Sequence, residues 1–143
     1  SEPIIMSTYS LDISAALDTK LLQFATANSV QVAYENSEFT PTVGTMYLRA
    51  THLPADSLPI GIAFTGALDH LGIYQVDVIA PVDKGKGAAY VMADLIISAY
   101  PRGDLIYNGV KVRIKSASRQ PGNRDGAYYI VSVIINYQSI TAS

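Results

Sequence analysis

Residues 72–100, GIYQVDVIAPVDKGKGAAYVMADLIISAY, carry the reading that decides the fold. Over Gly72 to Ala80 the side chains alternate: Tyr74, Val76 and Val78 point one way while Gln75 and Asp77 point the other. Period two is the signature of a strand with unlike faces. Pro81 stops the strand, because it has no N–H to give a ladder. After a loop of Asp83, Lys84, Gly85, Lys86 and Gly87 the period changes. Ala89, Met92, Ala93, Ile96 and Tyr100 fall on one helical stripe, closed by Pro101 and Gly103, and predict a helix over about 87–100. Val91, Leu95 and Ile97 make that helix apolar around most of its circumference, as expected of a helix covered on more than one side.

A second helix is expected upstream, over about 11–27. Ile13, Leu17, Leu21 and Phe24 form one stripe, with Ser10 in N-cap position and Asn28 at the stop. Ser1 to Thr8 has Pro3 and no periodicity, so residues 1–9 read as a loose N-terminal segment without the basic and apolar blocks of a signal peptide. Val30 to Tyr34 and Met46 to Leu53 are β-prone. Residues 55–71 hold Pro59, Gly61 and Gly66 around Ile60, Ile62 and Phe64, and read as a loop or projecting hairpin whose apolar residues pack on a neighbour.

Downstream, Leu105 to Tyr107 and Val110 to Lys115 flank Asn108 and Gly109, the dipeptide that best tolerates the positive φ angles of a tight hairpin. Ser116 to Gly126 is polar and basic and reads as a loop. Ala127 to Tyr137 is β-branched and aromatic on both faces, which suggests a central strand or one whose outer face another chain covers. The expected fold is α+β: one two-layer domain over residues 10–143, with a mostly antiparallel five-stranded sheet and two helices on one face.

Composition narrows the function. Apolar residues make up 49% of the chain and charged ones only 15%, against about a quarter in ordinary soluble domains. Either the core is unusually complete or apolar surface is hidden between copies or against a partner; the second is favoured. No apolar run reaches the roughly 20 residues a membrane span needs, so no membrane partner is expected. The net charge of −2 argues for neither nucleic acid nor lipid. With no cysteine there is no disulfide, thiolate metal site or thiol nucleophile.

Chemistry is sparse. The two histidines, His52 and His70, sit in no nucleophile motif and at no zinc-ligand spacing, and read as loop or interface residues; no catalytic residue, metal or cofactor is expected. The loop around Gly85 and Gly87 could hold a phosphate at a helix N-terminus, but it matches neither a P-loop nor a dinucleotide fingerprint, and a tight turn is the preferred reading. Lys111, Arg113 and Lys115 alternate along one strand face, with Arg119 and Arg124 beyond. Three uses stay open, in this order: a solvated face, a contact with a neighbouring subunit's acidic groups, and DNA phosphates. Ten tyrosines without a tryptophan suit partly wet interfaces, although Tyr74 and Tyr129 also fit a core.

Taken in order, several pieces resemble the tail-terminator-like proteins of tailed bacteriophages. They are Val32-Ala-Tyr-Glu-Asn36 running into Phe39-Thr-Pro41, Tyr47-Leu-Arg49, Leu53-Pro-Ala55 and Gly72 to Val78. Pro81, the Gly85 and Gly87 loop, Ala93-Asp94, Tyr100-Pro-Arg-Gly103 and Asp125-Gly126 follow. The likeness spans about residues 11–139 and is weakest over 55–71. It implies a non-enzymatic virion protein, assembled in the host cytoplasm, that forms a hexameric ring at the head-proximal end of the tail tube. Such a ring ends tube polymerisation and meets head-completion proteins, while DNA passes its lumen unbound. A head-to-tail connector or stopper is the alternative, and a phosphate or small-molecule binder using the glycine loop the outsider. Expected interface residues are Arg49, Tyr74, Arg102, Lys111 and Arg113 as polar contacts and Ile62 and Phe64 as apolar arm contacts.

Overall fold

The computed structural model describes residues 2–34, 39–40, 44–54, 58–59, 68–82, 86–107 and 110–141. In chain order these form α1 (Glu2–Asn28), β1 (Gln31–Ala33), β2 (Tyr47–Pro54), β3 (Leu58–Pro59), β4 (Leu68–Pro81), α2 (Lys86–Ala99), β5 (Gly103–Tyr107), β6 (Val110–Arg119), β7 (Asn123–Asp125) and β8 (Tyr128–Thr141).

The α+β class and the two helices on one sheet face agree with the sequence reading, but the sheet is larger than five strands. Its main path runs β1-β2-β4-β8-β6-β5, with β3 added to β4 and β7 to β8. Among the described residues every pairing is antiparallel except β1 with β2. The centre is β4 against β8, in unbroken register from Leu68↔Thr141 to Pro81↔Tyr128. That places β8 between two neighbours, the first of the two readings its composition allowed.

One face of the sheet is dry. Leu48 and Ala50 of β2, Tyr74, Val76 and Val78 of β4, Val112 and Ile114 of β6, and Val131, Val133 and Ile135 of β8 are buried together with the two helical stripes. Ile13, Leu17, Leu21 and Phe24 supply the α1 stripe; Ala89, Met92, Ala93 and Ile96 supply that of α2. Burying a Val, Leu or Ile side chain of this kind contributes about 1.5–3 kcal/mol. The small residues Ala89 and Ala93 let α2 lie close to the strands. Val91 and Leu95, on its far side, are exposed, so within one chain α2 is covered on one side only.

Two local readings need correction. The stretch expected to be loose is helical from Glu2, because Pro3 falls in the first turn, where a missing N–H costs nothing. Ser116 to Gly126 is not all loop: β6 runs on to Arg119 and β7 spans Asn123–Asp125. Its polar composition misleads because backbone pairing with the long β8 sustains the strand, helped by Asn136 Nδ2 donating to Ser116 Oγ at 2.9 Å. Residues 55–71 are described only at the base of the expected hairpin, where Leu58 and Pro59 pair with Asp69 and Leu68; Ile62 and Phe64 lie outside the described residues. The Asn108-Gly109 turn does too, although the hairpin it should close is present.

The end of α1 is built by a Schellman closure. Val30 N–H donates to Ala25 O at 3.0 Å and Ser29 N–H to Thr26 O at 3.4 Å, with Ser29 left-handed at φ 55°. Asn28 Nδ2 caps Phe24 O at 2.9 Å, which accounts for the stop at the expected residue. The chain then turns into β1 beside β2.

Candidate functional site

The face of the sheet away from the helices is the polar one, and its register assembles a cluster that no local spacing reveals. Arg49 stands opposite Asp77 across β2 and β4, and Asp77 stands opposite Ser132 across β4 and β8. Asp77, only 3% exposed, accepts from Arg49 Nη2 at 2.8 Å and Nε at 3.1 Å. Its other oxygen accepts from Gln75 Nε2 at 2.9 Å and Ser132 Oγ at 2.6 Å. A carboxylate so far from water is tolerable only with its lone pairs filled, and charge-assisted bonds do this best. The Arg49 guanidinium, with its side chain 49% exposed, opens onto a cavity of about 460 Å³ that Gln120, Arg124 and Asp125 also line.

The basic row of the sequence does not stay on one face. A register shift between Ile114 and Ser116 turns the strand, so Lys111 and Arg113 lie on the polar face but Arg119 comes round to the helix side. There Arg119 lies 4.5 Å over the Tyr90 ring and 3.3 Å from the Asp94 carboxylate of α2. Tyr90 Oη in turn accepts from Gly122 N–H at 2.9 Å, fixing the β6–β7 turn to α2. Arg113 pairs with its cross-strand neighbour Asp104 at 3.2 Å, while Lys111, Lys115 and Arg102 are exposed beside it. The interface expectations thus separate. Arg49 belongs to the Asp77 cluster, and Arg102, Lys111 and Arg113 group at the β5–β6 end.

Tyr74 is corrected outright: it is buried beneath the helices. Its hydroxyl donates to the Asp18 carboxylate of α1, and Tyr100 Oη donates to Leu17 O at 2.8 Å. Burial first, and then the neighbouring Tyr100 and the Asp18 charge, push the Tyr74 hydroxyl far above the usual tyrosine range. Burial and Asp18 do the same to Tyr100. The alternation that aligned Tyr74 with Val76 and Val78 already placed it on the apolar face.

His52 Nε2 is 2.5 Å from Tyr137 Oη, at the end of the sheet beyond the helices. Burial pushes the Tyr137 hydroxyl up to about 12. The Tyr137 ring lies flat across Gly72, its cross-strand partner, filling the space a side chain would take there. His70 contributes no described side chain. Among the described residues no group of three or more His, Cys, Asp and Glu could hold a metal ion, and no helix is long and apolar enough to cross a membrane. Gly87 sits in the first turn of α2 with open space around it, and Gly85 lies outside the described residues.

The chain is thus a two-layer α+β fold with a polar sheet face and large apolar side chains, Val91 and Leu95, exposed on α2. The chain belongs to the phage tail terminator protein family, which it matches over residues 12–137. It is therefore a structural protein of phage tails. A solved structure known only by a sequence label superposes with a TM-score of 0.77 at 26% identity, covering 91% of this chain and 94% of that one. A chain from the virion of a native gene transfer agent particle superposes with a TM-score of 0.60 at 12% identity, covering 92% and 93%, a likeness of fold. No curated protein matches.

Proposed function

We propose that the chain is the tail terminator of its phage: a ring, hexameric by the family resemblance, that seats on the head-proximal end of the tail tube. It halts tube polymerisation and offers its free side to the head-completion proteins. The family match across residues 12–137 carries this reading. The surface supports it: Leu22, Val91, Leu95 and Ile106 are large apolar side chains left exposed in a single chain, as a subunit that meets copies and partners needs. The role is architectural rather than enzymatic, and the lumen lets DNA pass without gripping it, in keeping with a chain of net charge −2.

Electron microscopy of lysates from a phage deleted for this gene tests the proposal. Overlong or unattached tails beside filled heads are expected. Tails of normal length beside emptied heads would reassign the chain to the connector, and normal virions would refute a role in tail completion.

A further inference from the structure

We infer that successive copies join edge to edge, β5 of one copy adding to β1 of the next, so that the sheet runs on around the ring. The inference rests on the ring reading and specifies which surfaces make it. Among the described residues the sheet path ends on β1 at one side and β5 at the other, each with a partner on one flank only. Such an edge presents a row of N–H and C=O groups that a monomer ordinarily protects with lysine, proline or a bulge. β5, Gly-Asp-Leu-Ile-Tyr, has no lysine or proline and pairs with β6 without irregularity from Gly103↔Ile114 to Tyr107↔Val110. Its Ile106 is 72% exposed, and the one charge, Asp104, is already held by Arg113. β1, Gln-Val-Ala, is short but likewise has no lysine or proline, and it keeps regular register with β2.

Three observations make the occupant a second copy. The free edges lie at opposite ends of one sheet, so pairing β5 of one copy with β1 of the next is a head-to-tail, heterologous contact, the kind from which rings close. Charge agrees: residues 101–115 carry four cations, Arg102, Lys111, Arg113 and Lys115, against the one carboxylate of Asp104, whereas between Lys20 and Arg49 the sequence has no cation and two carboxylates, Glu35 and Glu38. The shapes agree as well. On its helix side β1 borders an apolar groove of about 450 Å³, walled by Leu22, Ala25, Val30, Val32 and Phe39. Leu105, half-buried on the helix side of β5, is the side chain that strand addition carries toward it.

Hydrogen exchange of the intact chain, free and then seated on tails purified from its own phage, reads this directly. Amides of residues 31–33 and 103–107 should both slow about tenfold or more on assembly. Rings visible on the tube ends with both segments exchanging as in the free chain would overturn edge pairing and leave the terminator reading standing. Failure of the chain to seat on tube ends at all would overturn both. Ile106→Lys alters an exposed side chain, so it should keep the wild-type thermal midpoint yet fail to form rings; rings from this variant as abundant as wild type would remove β5 from the interface.

Discussion

Gly72→Ala should be among the most damaging single-methyl changes in this protein. Gly72 faces Tyr137 across the β4–β8 ladder, and a Cβ built there meets Cζ of that ring at 2.7 Å and Cε2 at 2.9 Å, closer than carbon atoms approach. The ring cannot simply step aside, because it is buried and its hydroxyl is engaged with His52. Forcing it from its rotamer is an overpacking cost of about 1–3 kcal/mol. Losing the His52 hydrogen bond adds about 1 kcal/mol. The expected total is about 2–4 kcal/mol, which for a chain of this size lowers Tm by about 5–12 °C. Urea denaturation followed by circular dichroism measures it, and a double-mutant cycle isolates the cause. Gly72→Ala combined with Tyr137→Leu should cost less than the two single changes added together, since the smaller side chain vacates the space. A loss under about 0.5 kcal/mol for Gly72→Ala, or strict additivity in the double mutant, would refute the clash as the reason glycine stands there.

Other consequences concern separate parts of the structure. Ser29→Gly should stabilise by about 0.5–1 kcal/mol, measured by thermal unfolding, because glycine accepts the left-handed backbone that serine holds at φ 55° under strain. Arg49→Ala strips the buried Asp77 carboxylate of its cation and should cost about 1–3 kcal/mol, discounted because the arginine is half exposed; adding Asp77→Ala should recover part of the loss in a denaturation cycle. Stability should fall as pH rises above 10. The unfolded tyrosines then lose protons that folded Tyr137, held up to about 12, and the still higher Tyr74 and Tyr100 retain, so ionisation favours the unfolded chain. A pH series of Tm values should be free of this effect below 10, and the fall above it should shrink in Tyr137→Phe.

Periodicity is a property of consecutive residues, and whatever it governs was legible before any folding. The stripes Ile13-Leu17-Leu21-Phe24 and Ala89-Met92-Ala93-Ile96 specify two helices, and the alternation of Tyr74, Val76 and Val78 specifies a strand with one dry face. The apolar run from Ala127 suggests a central strand or one whose outer face another chain covers, and β8 is central, with neighbours on both sides. The order and spacing of the pieces from Val32 to Gly126 resemble the family that the chain matches. Partnership is different, because it joins residues distant in sequence. Nothing local places Arg49 beside Asp77 and Ser132; only the pairing of β2, β4 and β8 does so. Nothing local shows that a bulge near Lys115 carries Arg119 off the basic row and onto Tyr90, or that β1 runs parallel to β2. Tyr74 makes the division plain. Its own sequence set the face it shares with Val76 and Val78, but α1 had to pack on that face, bringing Asp18 to its hydroxyl, before the residue was removed from the surface.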